Sequence, residues 1–140
     1  MKNAKTIFDI VSFAAGGVLG YLFGPCDEIL KGMLVMMALD IVVGVITAFS
    51  GLSPKTKTGG LSSDAMFHGL MKKAGELCIV IVGNVLDKVT GMGVVRTGVC
   101  VAILASEVLS ITENASLLGV IDIPIINKAL EVLKGEGDDE

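Results

Sequence analysis

The sequence predicts an all-α integral membrane protein, with three to four transmembrane helices and a short amphipathic helix near its C-terminal end. Three observations carry that expectation. First, 52% of the 140 residues are hydrophobic and 19% are charged, whereas a soluble domain carries about a quarter charged residues; the mean hydropathy is +0.77. Second, the charges gather between four apolar blocks. Third, the prolines, Pro25, Pro54 and Pro124, fall between blocks or at the start of the tail and never inside one, as expected where each would remove a helical hydrogen bond. The blocks show no two-residue alternation of polar and apolar side chains, which a membrane barrel requires. A soluble bundle is disfavoured because too few polar residues remain to coat four such helices. The length suits a single membrane domain and leaves no room for a separate catalytic one.

Each block is weighed against the roughly 20 apolar residues needed to cross a bilayer. The first, about 7–24, carries Asp9 as its only charge. Lys2 and Lys5 precede it in the manner of a signal peptide, but Asp9 interrupts a very short apolar run, so the segment is expected to be retained. It either spans or lies on the surface, hence three to four spans. Within it SFAAGGVLGYLFG places Ser12, Gly16, Gly20 and Gly24 four residues apart, although each helical glycine costs about 1 kcal/mol against Ala. The second block, about 29–49, is long enough and holds Asp40 at its middle. The third, about 74–90, is the weakest and is long enough only if Lys72 or Lys73 snorkels. The fourth, about 93–112, carries Arg96 and Glu107.

Between blocks two and three lies a Lys-rich loop, residues 50–73, with Lys55, Lys57, Lys72 and Lys73 against Asp64. Basic residues mark the cytoplasmic side, so four spans put the N-terminus, this loop and the tail there together. SGLSPKTKTGGLSSD is a turn-forming run. Ser62 or Ser63 is placed to cap a short helix starting near Asp64, with Met66, Phe67, Leu70 and Met71 on one face. That helix is either interfacial or part of a solvated connector. Beyond block four, Pro124 opens an amphipathic helix with Ile126, Leu130 and Leu133 on one face, and the acidic GEGDDE follows, so 124–140 forms a helix and tail.

Charge inside a bilayer costs about 2.5–3.5 kcal/mol per residue on insertion scales and usually faces protein or water. At 100° per residue, Asp40 aligns with Gly44 and Ala48; Glu76, Gly83 and Asp87 cluster, with Asn84 beside them; Arg96, Glu107, Ser110 and Asn114 share a stripe. Two arrangements satisfy these stripes. They pair inside one chain, with Arg96 and Lys73 as cationic partners, or they face water or another copy.

No catalytic chemistry emerges. Cys26, Cys78 and Cys100 lack metal or redox spacing and are expected to be buried, inert thiols. His68 is the only histidine, so no His-based metal cluster forms. GMGVVRTG lacks the third glycine of a dinucleotide loop. Asn114-Ala-Ser116 matches a glycosylation sequon, as short patterns do by chance. No catalytic residue, metal, cofactor or nucleic-acid partner is therefore expected.

From about Leu39 to Lys134 the chain resembles the toxin-secretion/phage-lysis holin family. The matching pieces are LDIVVGVITA, LSSDAMFHGLMKKAGEL, VVRTGVCVAILASEVLSITEN and IPIINKALEVLK, in order and with comparable spacing. Ser106 stands where the family usually has Asn, and Thr112 where it has Leu. The glycine-bearing first block lies outside the best match. The resemblance implies a protein of the bacterial cytoplasmic membrane that forms homo-oligomers and opens lesions, through which a cell-wall hydrolase (endolysin) or toxin crosses; an antiholin is an implied partner. The holin itself makes and breaks no bond. Helix association in lipid relies on close packing and polar contacts, so Ser12, Gly16, Gly20 and Gly24 are expected at a contact between copies, with Asp40, Glu76, Asp87 and Glu107 turned to the protein interior or a lumen. An antiholin or a scaffold shares every one of these motifs. A solute transporter would need inverted repeats, and no convincing internal repeat is visible.

Overall fold

The computed structural model describes residues 2–121, with side chains from Lys5 onward. The expected amphipathic helix and acidic tail over 124–140 lie outside the described residues. Among the described residues four helices follow in order: α1 (Lys2–Phe23), α2 (Glu28–Phe49), α3 (Ser63–Thr90) and α4 (Val95–Leu117). No strand occurs among the described residues. Among the described residues three helices are long and apolar enough to cross a membrane, over Lys5–Phe23, Glu28–Phe49 and Val95–Leu117. The exception is α3, where Asp64, Lys72, Lys73, Glu76, Asp87 and Lys88 interrupt the apolar run.

The helix ends follow from local chemistry. Asp27 caps α2, its Oδ1 accepting from Leu30 N–H at 3.1 Å. Ser62 caps α3, its Oγ accepting from Ala65 N–H at 3.4 Å. The short helix expected after Asp64 is the first part of an unbroken 28-residue α3. Nothing between Ser63 and Thr90 stops it, since the segment contains no proline and its glycines weaken a helix without ending it.

The chain divides into two compact units, the first Met1–Val35 with Met71–Leu104 and the second Met36–Leu70 with Ala105–Glu140. In the first, Leu30, Met33, Val80, Cys100 and Ile103 are buried. Here α3 and α4 approach closely: a Cβ on Gly83 would stand 3.0 Å from Arg96 Cα. By contrast α1 is exposed from Lys5 to Tyr21, and a side chain added at Gly16, Gly17 or Gly20 would meet nothing within 4 Å. In the second unit Met37, Ala48, Asp40, Thr47, Glu107 and Asn114 are buried.

Burial runs opposite to the rule for soluble proteins, where large apolar side chains go inside and charges stay out. Asp40, Lys73, Asn84, Arg96, Glu107 and Asn114 are buried, while Ile41, Val42, Ile46, Phe49, Ile79, Val82, Val101 and Leu109 are exposed. In lipid this distribution is the favourable one: apolar side chains lose nothing by facing acyl chains, and charges gain by facing protein. The cysteines follow the same logic and correct the expectation of three buried thiols. Cys100 is buried, but Cys26 and Cys78 are exposed, Cys78 beside outward-facing Ile79.

Candidate functional site

The buried residues on α2 and α4 recur mostly at spacings of three, four and seven. On α2 the buried positions are Leu30, Met33, Met37, Asp40, Thr47 and Ala48; on α4 they are Arg96, Cys100, Ile103, Glu107 and Asn114. Such spacing keeps one seam of a helix turned toward its neighbours. On α3 the inward face carries Lys73, Val80, Gly83 and Asn84. Each seam therefore mixes packing residues with ionisable or amide groups.

In the first unit the polar groups build a clasp around the end of α1. The last carbonyls of a helix have no partner within it. Gly24, at φ 80°, ends α1, and its N–H donates to Gly20 O at 3.0 Å. The next three carbonyls are reached by side chains from α3 and α4. Asn84 Nδ2 donates to Tyr21 O at 3.0 Å and Leu22 O at 2.7 Å. Lys88 Nζ donates to Tyr21 O at 2.5 Å and sits 4.1 Å from the centroid of the Tyr21 ring. Arg96 donates to Phe23 O at 3.4 Å and Pro25 O at 3.3 Å, and its guanidinium pairs with the Asp27 carboxylate. A Cβ on Gly24 would lie 2.6 Å from Asn84 Oδ1, so glycine there permits both the turn and the approach.

The same cluster starts α4. Asp87 accepts from Val95 N–H at 2.8 Å and Arg96 N–H at 2.9 Å, placing a carboxylate where the helix dipole favours negative charge. Asp27 lies outside the apolar segments. The hydrogen bond from Arg96 holds its carboxyl below the usual aspartate range, against the opposing effect of burial.

In the second unit, buried Asp40 and Thr47 on α2 accompany buried Glu107 and Asn114 on α4. Thr47 donates back to Val43 O at 2.9 Å. The Asn114 amide stands 3.9 Å from the place a Gly44 Cβ would take, so a small residue on α2 admits an amide from α4.

The candidates read from sequence distribute as follows. Asp40, Asn84, Arg96, Glu107 and Asn114 are buried, while Glu76, Asp87 and Ser110 are half-buried. Lys72 Nζ lies 3.5 Å from Glu76 Oε1. Of the basic cluster, Lys55, Lys57 and Lys72 are exposed and Lys73 is buried. Ser12, Gly16 and Gly20 lie on exposed α1, and Gly24 is the turn described above. Sequence reasoning passed over Asp27, Thr47 and Lys88. Asp27 carried a signal, an Asp placed just before an apolar helix; Thr47 and Lys88 carried none. Among the described residues no three His, Cys, Asp or Glu side chains stand together to hold a metal.

Among the described residues, helices that turn apolar side chains outward and keep Asp40 and Glu107 inside have the pattern of a membrane protein. Residues 17–135 match the model of the bacteriophage holin family. The chain is 34% identical over 119 residues to a probable holin of Bacillus phage phi105, covering 84% of this chain and 82% of that one. It is 32% identical over 136 residues to an uncharacterized protein of Listeria monocytogenes, covering 95% and 90%, and 31% identical over 121 residues to an uncharacterized 14.9 kDa protein of Clostridium perfringens, covering 85% and 84%. No solved structure matches. The chain belongs to the bacteriophage holin family.

Proposed function

We propose that this protein is a holin: copies accumulate in the bacterial cytoplasmic membrane, associate, and open lesions that release a cell-wall hydrolase or toxin. The observation that carries the reading is the inverted burial pattern in a holin-family chain. Asp40 and Glu107 are 7% and 1% exposed within helices apolar enough to span. Acids kept there at a cost of about 2.5–3.5 kcal/mol each supply a polar surface that purely apolar helices lack. When copies associate, these seams line the water-filled space. The face of α1 left exposed from Lys5 to Tyr21, with Ser12, Gly16 and Gly20 along one side, supplies the contact between copies. With four spans, the Lys-rich loop and both termini face the cytoplasm.

Expression alone separates a holin from an antiholin or scaffold of the same family. A holin depolarises the cell without any other phage protein, whereas an antiholin or scaffold inserts and leaves the membrane potential intact. A membrane-potential dye followed during induced expression reads the difference; sustained polarisation with the protein present in the membrane rejects the holin reading.

A further inference from the structure

The first two turns of α3 and the loop before them form a surface that the lesion-forming role does not use. We propose that this surface binds the headgroup of an acidic phospholipid in the bilayer's cytoplasmic leaflet. The proposal rests on membrane residence and on the loop facing the cytoplasm, and is independent of whether the protein opens lesions.

Position places the surface. On the four-span reading α3 enters the bilayer with the apolar run that follows Lys72 and Lys73. Lys72 is exposed, and a lysine at such a junction reaches toward the headgroups; Ser63–Leu70 precede it, at the membrane surface.

Chemistry names the occupant. Met66, Phe67 and Leu70 lie on one flank of the helix and are 49%, 59% and 57% exposed, an apolar flank fit for the upper acyl chain. Lys55 and Lys57 are exposed on the adjoining loop, which is folded on itself. Ser53 N–H donates to Gly59 O at 2.8 Å, Gly59 N–H to Thr56 O at 3.1 Å, and Thr56 Oγ1 to Gly60 O at 2.9 Å. Gly59 has φ 70°, and a Cβ there would fall 2.0 Å from Gly51 O. The two ammonium groups are thus carried on a preformed turn rather than a free tether, so less ordering cost opposes binding. Exposed cations on the loop that leads into this apolar flank complement an anionic headgroup with its attached chains.

The test uses the full chain purified in detergent and incubated with dioleoyl phosphatidylglycerol or dioleoyl phosphatidylcholine, with retained lipid counted by native mass spectrometry. The expected result is preferential retention of phosphatidylglycerol. In K55Q/K57Q retention falls about 30-fold, which corresponds to about 1 kcal/mol per lysine; K55R/K57R keeps it. Far-ultraviolet circular dichroism of each variant confirms that the helices persist. Equal retention of the two lipids, or undiminished phosphatidylglycerol binding by K55Q/K57Q, overturns the proposal. So does binding that appears only after Glu136–Glu140 is removed, because the acidic tail of the chain is then the occupant.

Discussion

Arg96 serves the end of α1, the α1–α2 turn and the start of α4 from one side chain. Its guanidinium is the kind of planar, multidentate donor that a lysine cannot replace. Replacing it with Leu leaves Phe23 O, Pro25 O and the Asp27 carboxylate without their donor, with an expected cost of about 1–3 kcal/mol. Arg96→Lys recovers part of this. Asn84→Ala removes two hydrogen bonds to α1, leaving Leu22 O without its donor while Lys88 still reaches Tyr21 O, and is expected to cost about 1–2 kcal/mol, given roughly 0.6 kcal/mol for an average interhelical hydrogen bond in membranes. Both are measured as shifts in the midpoint of sodium dodecyl sulfate unfolding followed by helical signal. The Asp27 pair also gives a pH dependence. Because Arg96 lowers the folded pKa of Asp27, its stabilisation is fully present above the unfolded value of about 3.9 and is lost as pH falls through the lower folded value. Asp27→Asn is expected to lose this part of the acid transition while leaving stability at neutral pH only modestly reduced, since Asp27 remains 38% exposed.

Among the helices, α3 and α1 make opposite predictions about glycine. At Gly83 a Cβ meets Arg96 Cα at 3.0 Å and Arg96 N at 3.3 Å, so the α3–α4 crossing needs the small residue. Gly83→Ala is expected to destabilise by about 1–3 kcal/mol as the backbones are forced apart, and Gly83→Leu by more. At Gly16 and Gly20 the space is open, so Gly16→Leu with Gly20→Leu is expected to leave the fold of the single chain intact. If α1 joins copies, the same pair of changes lowers the oligomer fraction seen by cross-linking. A variant that oligomerises like the parent removes α1 from the contact. The elements also differ in how legible they were. Ser62 marked the start of α3, and the run from Glu28 to Phe49 marked α2, because caps and unbroken apolar length are local signals. That the loop helix and the third block are one element was hidden by the charges at Lys72, Lys73 and Glu76, which look like a boundary in sequence but sit along a continuous helix, Lys72 and Glu76 paired one turn apart.

Across the whole molecule, the phase of the buried stripes was readable because a helix repeats regularly: Asp40, Arg96, Glu107 and Asn114 were picked by spacing alone and are buried. What each touches was not readable. Arg96 meets Asp27 from 69 residues away, and Lys73, which the sequence offered both as a loop cation and as a partner inside the bundle, is buried; both depend on how helices pack, which periodicity does not encode. The same packing sets the functional expectation for Asp40. Asp40→Leu removes a buried acid from a helix long and apolar enough to span, and the expected outcome is an altered lysis time or oligomer size, read by culture turbidity and by cross-linking. Unchanged values of both place Asp40 outside the mechanism. The central claim is that these chains permeabilise a bilayer by associating within it. It is tested most directly by reconstituting the purified chain in lipid vesicles loaded with dyes of graded size, while its oligomeric state is measured in the same membranes. The account predicts release that rises steeply with protein density, together with assemblies larger than one chain; vesicles that keep every dye while the protein sits in them as a monomer would contradict it.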